Sequence, residues 1–591
     1  MVNVGLDFGT TYTSCFYWDG GKHVELLSDK NQPTISLYDG SNLIHGNRAK
    51  QYRMRESIAR QRRFTGYKIL LCETDEKKLN DLGYDAIGGE FCPENITKSY
   101  LTDILTKAIN RCPGNEKKIG KLVVGVPELW LAPEKSDEAL ESIEALRKLK
   151  TILHELKNEM PNGAIGEIET ISEPALACAY YAWKYRENMI NAKKISPDFK
   201  DETDFNGHML VIDYGGGTLD INLCKVNQMG DSCEISVQAT EGAGKNNLED
   251  EELGKAGFAY MHSVVKHCVE NLDISLSEKY EKVQELELEL CERKESDLDP
   301  KYKSSIGRKR RNELKEEVFI KNFYGDKDLT YGILSDVFEK KISSQALEKN
   351  KDAKNAVLDV TLEKIKKTME TIRDKGDKPS DFDDNLKYVL TGGFCNFILT
   401  EMAIKNINDI IDDKDPRIKF MDMGHDAKRY SIAYGATLVA EGKIKIRQTY
   451  KYSLGIYDPK SQKEWIAFKL GDDWNYNEQM YVKKLGSSKL TTFQLSEIPC
   501  IYYDPKGAGK PLRQPPKSEF KRLFELSEEH LTKNYRVGFS LDKEEKITMY
   551  LQEVVESNDG PESEFVESGT PITRKLDSIK ELFDKIRAIE E

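Results

Sequence analysis

The sequence predicts an α/β fold of two similar lobes, followed by a β-rich region and a short C-terminal helix. The first observation behind this is the stretch 210–226, L-V-I-D-Y-G-G-G-T-L-D-I-N-L-C-K-V. An apolar run ends in Asp213, three glycines and Thr218 follow, and then Leu219, Ile221 and Leu223 alternate with polar residues. That pattern is two strands joined by a tight turn. The second observation is that the chain begins the same way. Val4 and Leu6 lead to Asp7, an aromatic residue, then Gly9, Thr10, Thr11 and Tyr12. Two such hairpins far apart in one chain point to an internal duplication. Third, Val537, Phe539 and Leu541, then Ile547, Met549 and Leu551, alternate about a D-K-E-E turn, which reads as paired strands.

Three consecutive glycines cost backbone entropy. What they provide is a turn without side chains, whose N–H groups can close on a phosphate. An aspartate at the end of a buried strand is tolerable mainly with a cation beside it. Taken alone, the stretch 210–226 reads more readily as a β-turn with a solvated Asp. Together, two lobes that each offer a turn and one Asp to a shared cleft would grip a polyphosphate and its Mg²⁺. Hydrated Mg²⁺ is typically held by one or two carboxylates plus phosphate oxygens, which suits Asp7 and Asp213.

Composition narrows the setting. The 591 residues are 39% hydrophobic, enough for large cores in several domains. A net charge of −13 disfavours a nucleic-acid surface. No apolar run approaches the roughly 20 residues of a membrane span. The 11 cysteines include no C-x-x-C pair, which argues for reduced thiols, with Cys178 and Cys224 as small core residues. Val4–Leu6 are needed as a strand, leaving no place for an N-terminal signal. The expected location is the cytoplasm or nucleus, without nucleic-acid or membrane partners.

D-F-G-T-T-Y and D-Y-G-G-G-T-L-D resemble the two phosphate motifs of the actin-like ATPase superfamily, whose lobes are ribonuclease H-like. Among its branches they are most similar to the seventy-kilodalton heat-shock chaperone family. Further segments agree in order: V-V-G-V-P at 123–127, I-S-E-P-A-L-A-C-A-Y-Y at 171–181, V-L-T-G-G-F at 389–394 and S-I-A-Y-G-A at 431–436. The resemblance implies a nucleotide-binding domain over 1–443, a β-rich substrate-binding-like domain over 444–570 and a short amphipathic helix over 571–591. It also implies ATP or ADP with Mg²⁺, and K⁺ as a monovalent companion.

In chain order, Trp18–Gly21 is a turn into the next strand, and Tyr38–Gly46 a strand pair about Asp39-Gly40. A basic stretch, 48–63, is mostly a solvated helix face. The family places a phosphate-contacting lysine here; Arg62 takes that place by spacing, and Lys68 is the nearby alternative, preferred as a compact point charge. Phe91–Arg111 reads as a helix, Val123–Val126 as a buried strand closed by Pro127, and Ser136–Glu159 as an amphipathic helix. The resemblance makes Pro127 and Lys135 a relay of the nucleotide state. Glu173, before Pro174 and an Ala-rich helix 175–183, is by itself a helix-capping acid. The resemblance adds that it positions the attacking water. Residues 191–207 read as a surface loop.

A strand over 234–239 leads into T-E-G-A-G-K-N-N, where Gly242 and Gly244 resemble a glycine turn near the γ-phosphate. A long helical region follows from Leu248 to about Phe323; its R-K-R-R at 308–311 is a solvated face or a nuclear signal. Lys315 matches an adenine or ribose contact, while Glu316 and Asn396 stand where the family has arginines. Gly392 and Gly393 correspond to the adenosine-binding turn. Beyond Gly442, K-I-K-I-R-Q-T-Y replaces the family's acidic, leucine-rich linker, and Thr573–Glu590 is one amphipathic helix, shorter than the family's lid.

The implied chemistry is ATP hydrolysis without a covalent intermediate. Asp7 and Asp213 hold the metal. Gly9, Thr10, Thr11, Tyr12, Gly215, Gly216, Gly217 and Thr218 cradle phosphates. Glu173 and Asp213 orient water, Lys68 or Arg62 supplies the cation, and Asp220 supports the metal or a monovalent ion. Three functions fit. One is an ATP-switched chaperone-like ATPase whose β domain binds unfolded client polypeptides, with co-chaperones or nucleotide-exchange factors as partners. Another is a nucleotide-binding regulatory scaffold with little turnover. The last is an actin-like filament subunit, which the β-rich tail disfavours.

Overall fold

A computed structural model shows a mixed α/β protein with several sheets. It describes residues 1–28, 31–52, 61–131, 137–196, 203–244, 256–269, 286, 289–290, 315–324, 327–343, 357–375, 386–397, 399–400, 403–404, 419–421, 423–447, 450, 453–458, 463–469, 478–484, 491–494, 501–504, 524–530, 532–542, 546–557 and 564–576. The chain divides into two compact units, Met1–Trp130 with Lys148–Ile446, and Leu131–Arg147 with Arg447–Glu591.

The first unit holds two large sheets. In one, β1 (Val2–Phe8) and β2 (Tyr12–Trp18) form the first hairpin, β3 (His23–Glu25) flanks it, and β4 (Ile119–Val126) and β5 (Ile165–Ser172) follow, in the order β3-β2-β1-β4-β5. In the other, β6 (Asn206–Tyr214), β7 (Thr218–Met229) and β8 (Ser232–Gly244) are joined by β9 (Leu386–Thr391) and β10 (Lys419–Phe420). Their order is β10-β9-β6-β7-β8, with β11 (Ile444–Arg447) beyond β8. Each sheet has an antiparallel meander of three strands, with two parallel strands added on the side of the first. The two hairpins therefore occupy equivalent places. Parallel strands flanked by β1 and β6 are buried on both faces, which is why Val123, Val124, Val389 and Leu390 run unbroken by polar residues.

Helices fill the space around these sheets. α1 (Pro93–Arg111) accompanies the first, α2 (Asp137–Glu159) runs from the second unit into the first, and α3 (Glu173–Ile195) follows β5 directly. α4 (Gly257–Val269) and α5 (Val357–Lys375) lie between β8 and β9, and α6 (His425–Ala440) follows β10. α3 begins where it does because the Ser172 hydroxyl accepts the Ala175 N–H, with Glu173 and Pro174 opening the first turn. Ala177, Ala179, Ala182 and Cys178 pack with Val211, Cys224, Ile432 and Ala436 in one buried cluster. The α3–α6 contact is backbone-close: a Cβ on Gly435 would meet the Leu176 carbonyl oxygen at 1.8 Å.

The second unit contains a sheet of Ser453–Asp458, Lys463–Phe468, Lys483–Lys484 and Ile501–Asp504, and another built on Asn534–Leu541 and Ile547–Ser557. Leu454, Ile456 and Phe468 of one join Val537, Phe539 and Met549 of the other in a single core.

Several expectations are corrected. Val318–Tyr324 is a strand, not the end of a helical region, because Phe319, Ile320 and Phe323 pack against the core from an extended chain. α3 continues through residues expected to form a loop, to Ile195. Ile444–Arg447 hydrogen-bonds to β8 as an edge strand, so the segment after Lys443 completes the second sheet. Ile572–Leu576 pairs with Ile547–Leu551, which overturns a helix starting at Thr573. Residues 577–591, Lys135, Lys245 and the R-K-R-R cluster lie outside the described residues. Gly435→Ala is expected to destabilise the chain by about 2–3 kcal/mol through overpacking, read as a lower urea midpoint with an unchanged slope.

Candidate functional site

The two hairpins close alike. The Gly9 N–H donates to the Tyr12 carbonyl at 3.1 Å, and the Gly215 N–H to the Thr218 carbonyl at 3.0 Å. Each aspartate sits two residues before that glycine, near the end of its strand. Asp7 stands opposite Ser14 in the register, and Asp213 opposite Asp220. The two turns also meet. A Cβ on Gly216 would lie 2.4 Å from the Thr11 hydroxyl oxygen, and one on Gly217 would lie 2.3 Å from that of Thr10. The second turn lacks side chains because those of the first occupy the space.

One pocket of about 120 Å³ is lined by both turns. It gathers Asp7, Gly9, Thr10, Thr11, Tyr12, Lys68, Glu173, Asp213, Gly215, Gly216, Gly217, Thr218, Gly392 and Gly393. Gly392 at φ 86 turns the chain directly under the site. A Cβ there would meet Asp213 Oδ1 at 2.5 Å, so only glycine leaves that carboxylate its place.

Lys68 precedes a short 3₁₀ turn and lies buried between the Phe8 and Trp130 rings, with its ammonium 5.7 and 5.8 Å from their centres. It donates to Glu173 Oε1 at 2.6 Å. Glu173 thus answers both to the helix N-terminus it opens and to this lysine. The carboxylates of Asp7 and Asp213 share the pocket with that pair. The Asp7 carboxyl is pushed up to about 7, first by burial and then by Glu173, against the pull of Lys68. Burial pushes Asp213 well above the usual carboxylate range too, with Glu173, Asp220 and Asp7 adding to it and Lys68 opposing.

The remaining candidates lie apart from the pocket. Arg62 pairs with Asp85 at 2.6 Å and crosses the Phe91 ring, half exposed, so of the two expected cations only Lys68 reaches the pocket. Asp220 is fully buried on β7, behind Asp213. Gly242 and Gly244 are strand residues opposite Asp220 and Thr218, which corrects their reading as a turn. Lys315 bonds to Asp336 at 2.7 Å and does not line the pocket. Phe394 borders it but belongs to an aromatic core with Tyr214, Tyr260 and Phe397.

Ser14, Asn31, Gly257, Met261, Arg429 and Ile432 line the pocket without having been singled out by sequence. Their positions depend on tertiary packing. Ser14 alone carried a signal, since it takes the place in the first hairpin that Asp220 takes in the second.

No protein-family model matches the chain, and no curated protein matches it.

Among the described residues no cluster of three or more His, Cys, Asp or Glu side chains is arranged to hold a metal. A divalent ion would rest on Asp7 and Asp213, with water or ligand oxygens completing its shell. The donor set fits Mg²⁺, which is usually held in this way, and burial with neighbouring carboxylates raises both Asp7 and Asp213.

Lys68→Met should cost about 3–5 kcal/mol by stranding a buried carboxylate, and the double change Lys68→Met/Glu173→Gln should recover most of it. Chemical denaturation of the three chains checks this. Asp7 binds its proton more tightly folded than unfolded, its carboxyl moving from 3.8 to about 7. Its contribution to stability is full below the unfolded value and is lost as pH rises through about 7. Asp7→Asn should flatten that decline and be more stable than the parent above pH 7 without ligand, as denaturant midpoints across the pH range will read.

Proposed function

We propose that the chain is a Mg²⁺-dependent ATP-binding protein that hydrolyses ATP, with a duplicated actin-like, ribonuclease H-like first unit. The observation that carries this reading is the convergence of two equivalent Asp-and-turn hairpins on one pocket with the Lys68–Glu173 pair. The N–H groups of Gly216 and Gly217 and of Thr10 and Thr11 suit phosphate oxygens, while those of Gly9 and Gly215 close the turns. Asp7 and Asp213 hold the cation's shell. Lys68 reaches a terminal phosphate while Glu173, bonded to it, orients the water that attacks. Mg²⁺ supplies neutralisation of phosphate charge when bound. Catalysis by such residues is positioning and electrostatics, without a covalent intermediate.

The β-rich second unit supports the chaperone-like version, in which nucleotide state switches its hold on unfolded polypeptide, with co-chaperones or exchange factors as partners. A second reading, a nucleotide-binding scaffold with little turnover, is favoured by the residues expected to contact the base. Phe394 is committed to the core, and Lys315 is held by Asp336 outside the pocket.

Asp213→Asn should abolish ATP turnover while leaving the fold intact by circular dichroism. An unchanged rate would refute the assignment. Nucleotide uptake by the parent without turnover would select the scaffold, and faster turnover with an unfolded peptide would select the chaperone.

A further inference from the structure

Arg429 is a charged residue of the pocket to which the chemistry above gives no role. It lies half-buried in the second turn of α6, with its guanidinium carbon 5.5 Å from the centre of the Tyr12 ring. The backbone beside it is pinned. The Lys428 carbonyl accepts the Gly392 N–H at 3.1 Å and the Thr391 hydroxyl at 3.2 Å, and the Ser431 and Thr391 hydroxyls meet at 2.5 Å. The start of α6 is thereby fixed to the glycine turn of the second sheet, while the Arg429 side chain reaches over the hairpin of the first. Arg429 spans the two halves of the site.

Its charge matters because the pocket is short of cations. Lys68 is engaged by Glu173 at 2.6 Å, and Asp7 and Asp213 face the same space. A phosphate chain adds several negative charges. A divalent ion between the aspartates offsets part of them, and the rest calls for a cation from the other side. A guanidinium meets that need, since its planar fork matches two phosphate oxygens at once and it rests well on an aromatic face until they arrive.

We propose that Arg429 binds the phosphate chain of the ligand and makes the pocket select polyphosphorylated nucleotides over the bare nucleoside. This rests on the nucleotide reading above. On binding, the guanidinium, which lies against the Tyr12 ring, turns donors to phosphate oxygens, tying the α6 side of the site to the first hairpin through the ligand.

Calorimetry on the full chain in magnesium buffer tests it with ATP, inorganic tripolyphosphate and adenosine. Arg429→Ala and Arg429→Gln should each weaken ATP and tripolyphosphate by about tenfold to a hundredfold, the range for charged hydrogen bonds, and leave adenosine unchanged. Arg429→Lys should lose less than either. Arg429→Gln keeps the side chain's bulk, and ligand-free melting midpoints equal to the parent's confirm folded variants. Parent-like affinity of both neutral variants for tripolyphosphate overturns the proposal. Equal losses for adenosine and ATP overturn it as well, because they assign Arg429 to the base. If the parent takes up none of the three ligands, the nucleotide reading fails and this assignment falls with it.

Discussion

The repulsion among buried carboxylates in one pocket is the constraint around which the first unit is arranged. Asp7 and Asp213 end strands that are each flanked by a parallel neighbour, so neither can turn outward without breaking a sheet. Glu173 opens a helix whose first turns, through Ala182, are core. Among the described residues Lys68 opposes that repulsion at Asp7 and Asp213, and buried charges left uncompensated are met by a proton or a cation. The folded chain therefore bears an electrostatic cost at this pocket. The supporting features keep those groups in place: Gly392 clears room for one carboxylate, Phe8 and Trp130 hold the lysine, and Ser172 fixes the helix that presents Glu173.

Much of this was legible in the sequence where local pattern and tertiary role agree. The Asp-x-Gly turns, the apolar strands leading to them and the S-E-P helix start each carry their own signal, and each occupies the expected kind of element. Legibility failed where packing decides. The choice between Arg62 and Lys68 turns on which side chain points inward, and Asp85 draws Arg62 to the surface. Gly242 and Gly244 suggested a turn, yet pairing with β7 extends the strand through both. Thr573–Leu576 satisfies a helical stripe as well as a strand alternation, and the partner Ile547–Leu551 settles it. Arg429 left no trace, since nothing in its neighbours' pattern reveals that α6 begins beside the Gly392 turn.

The second sheet's edge shows a related point. A basic segment that composition alone separates from the first unit is bonded to β8, because an unpaired edge accepts any extended chain of suitable alternation. Ile444 is buried while Lys445 is exposed, which is the alternation such an edge requires.

The meeting of the two turns has a consequence for how this chain can vary. Thr10 and Thr11 stand in the room that Gly217 and Gly216 leave empty, so two copies of one motif that face each other this closely cannot both carry bulk. The halves of a symmetric design are obliged to become unequal. A heavier residue entering one copy is tolerated only when its opposite number shrinks, which couples the histories of two segments far apart in the chain.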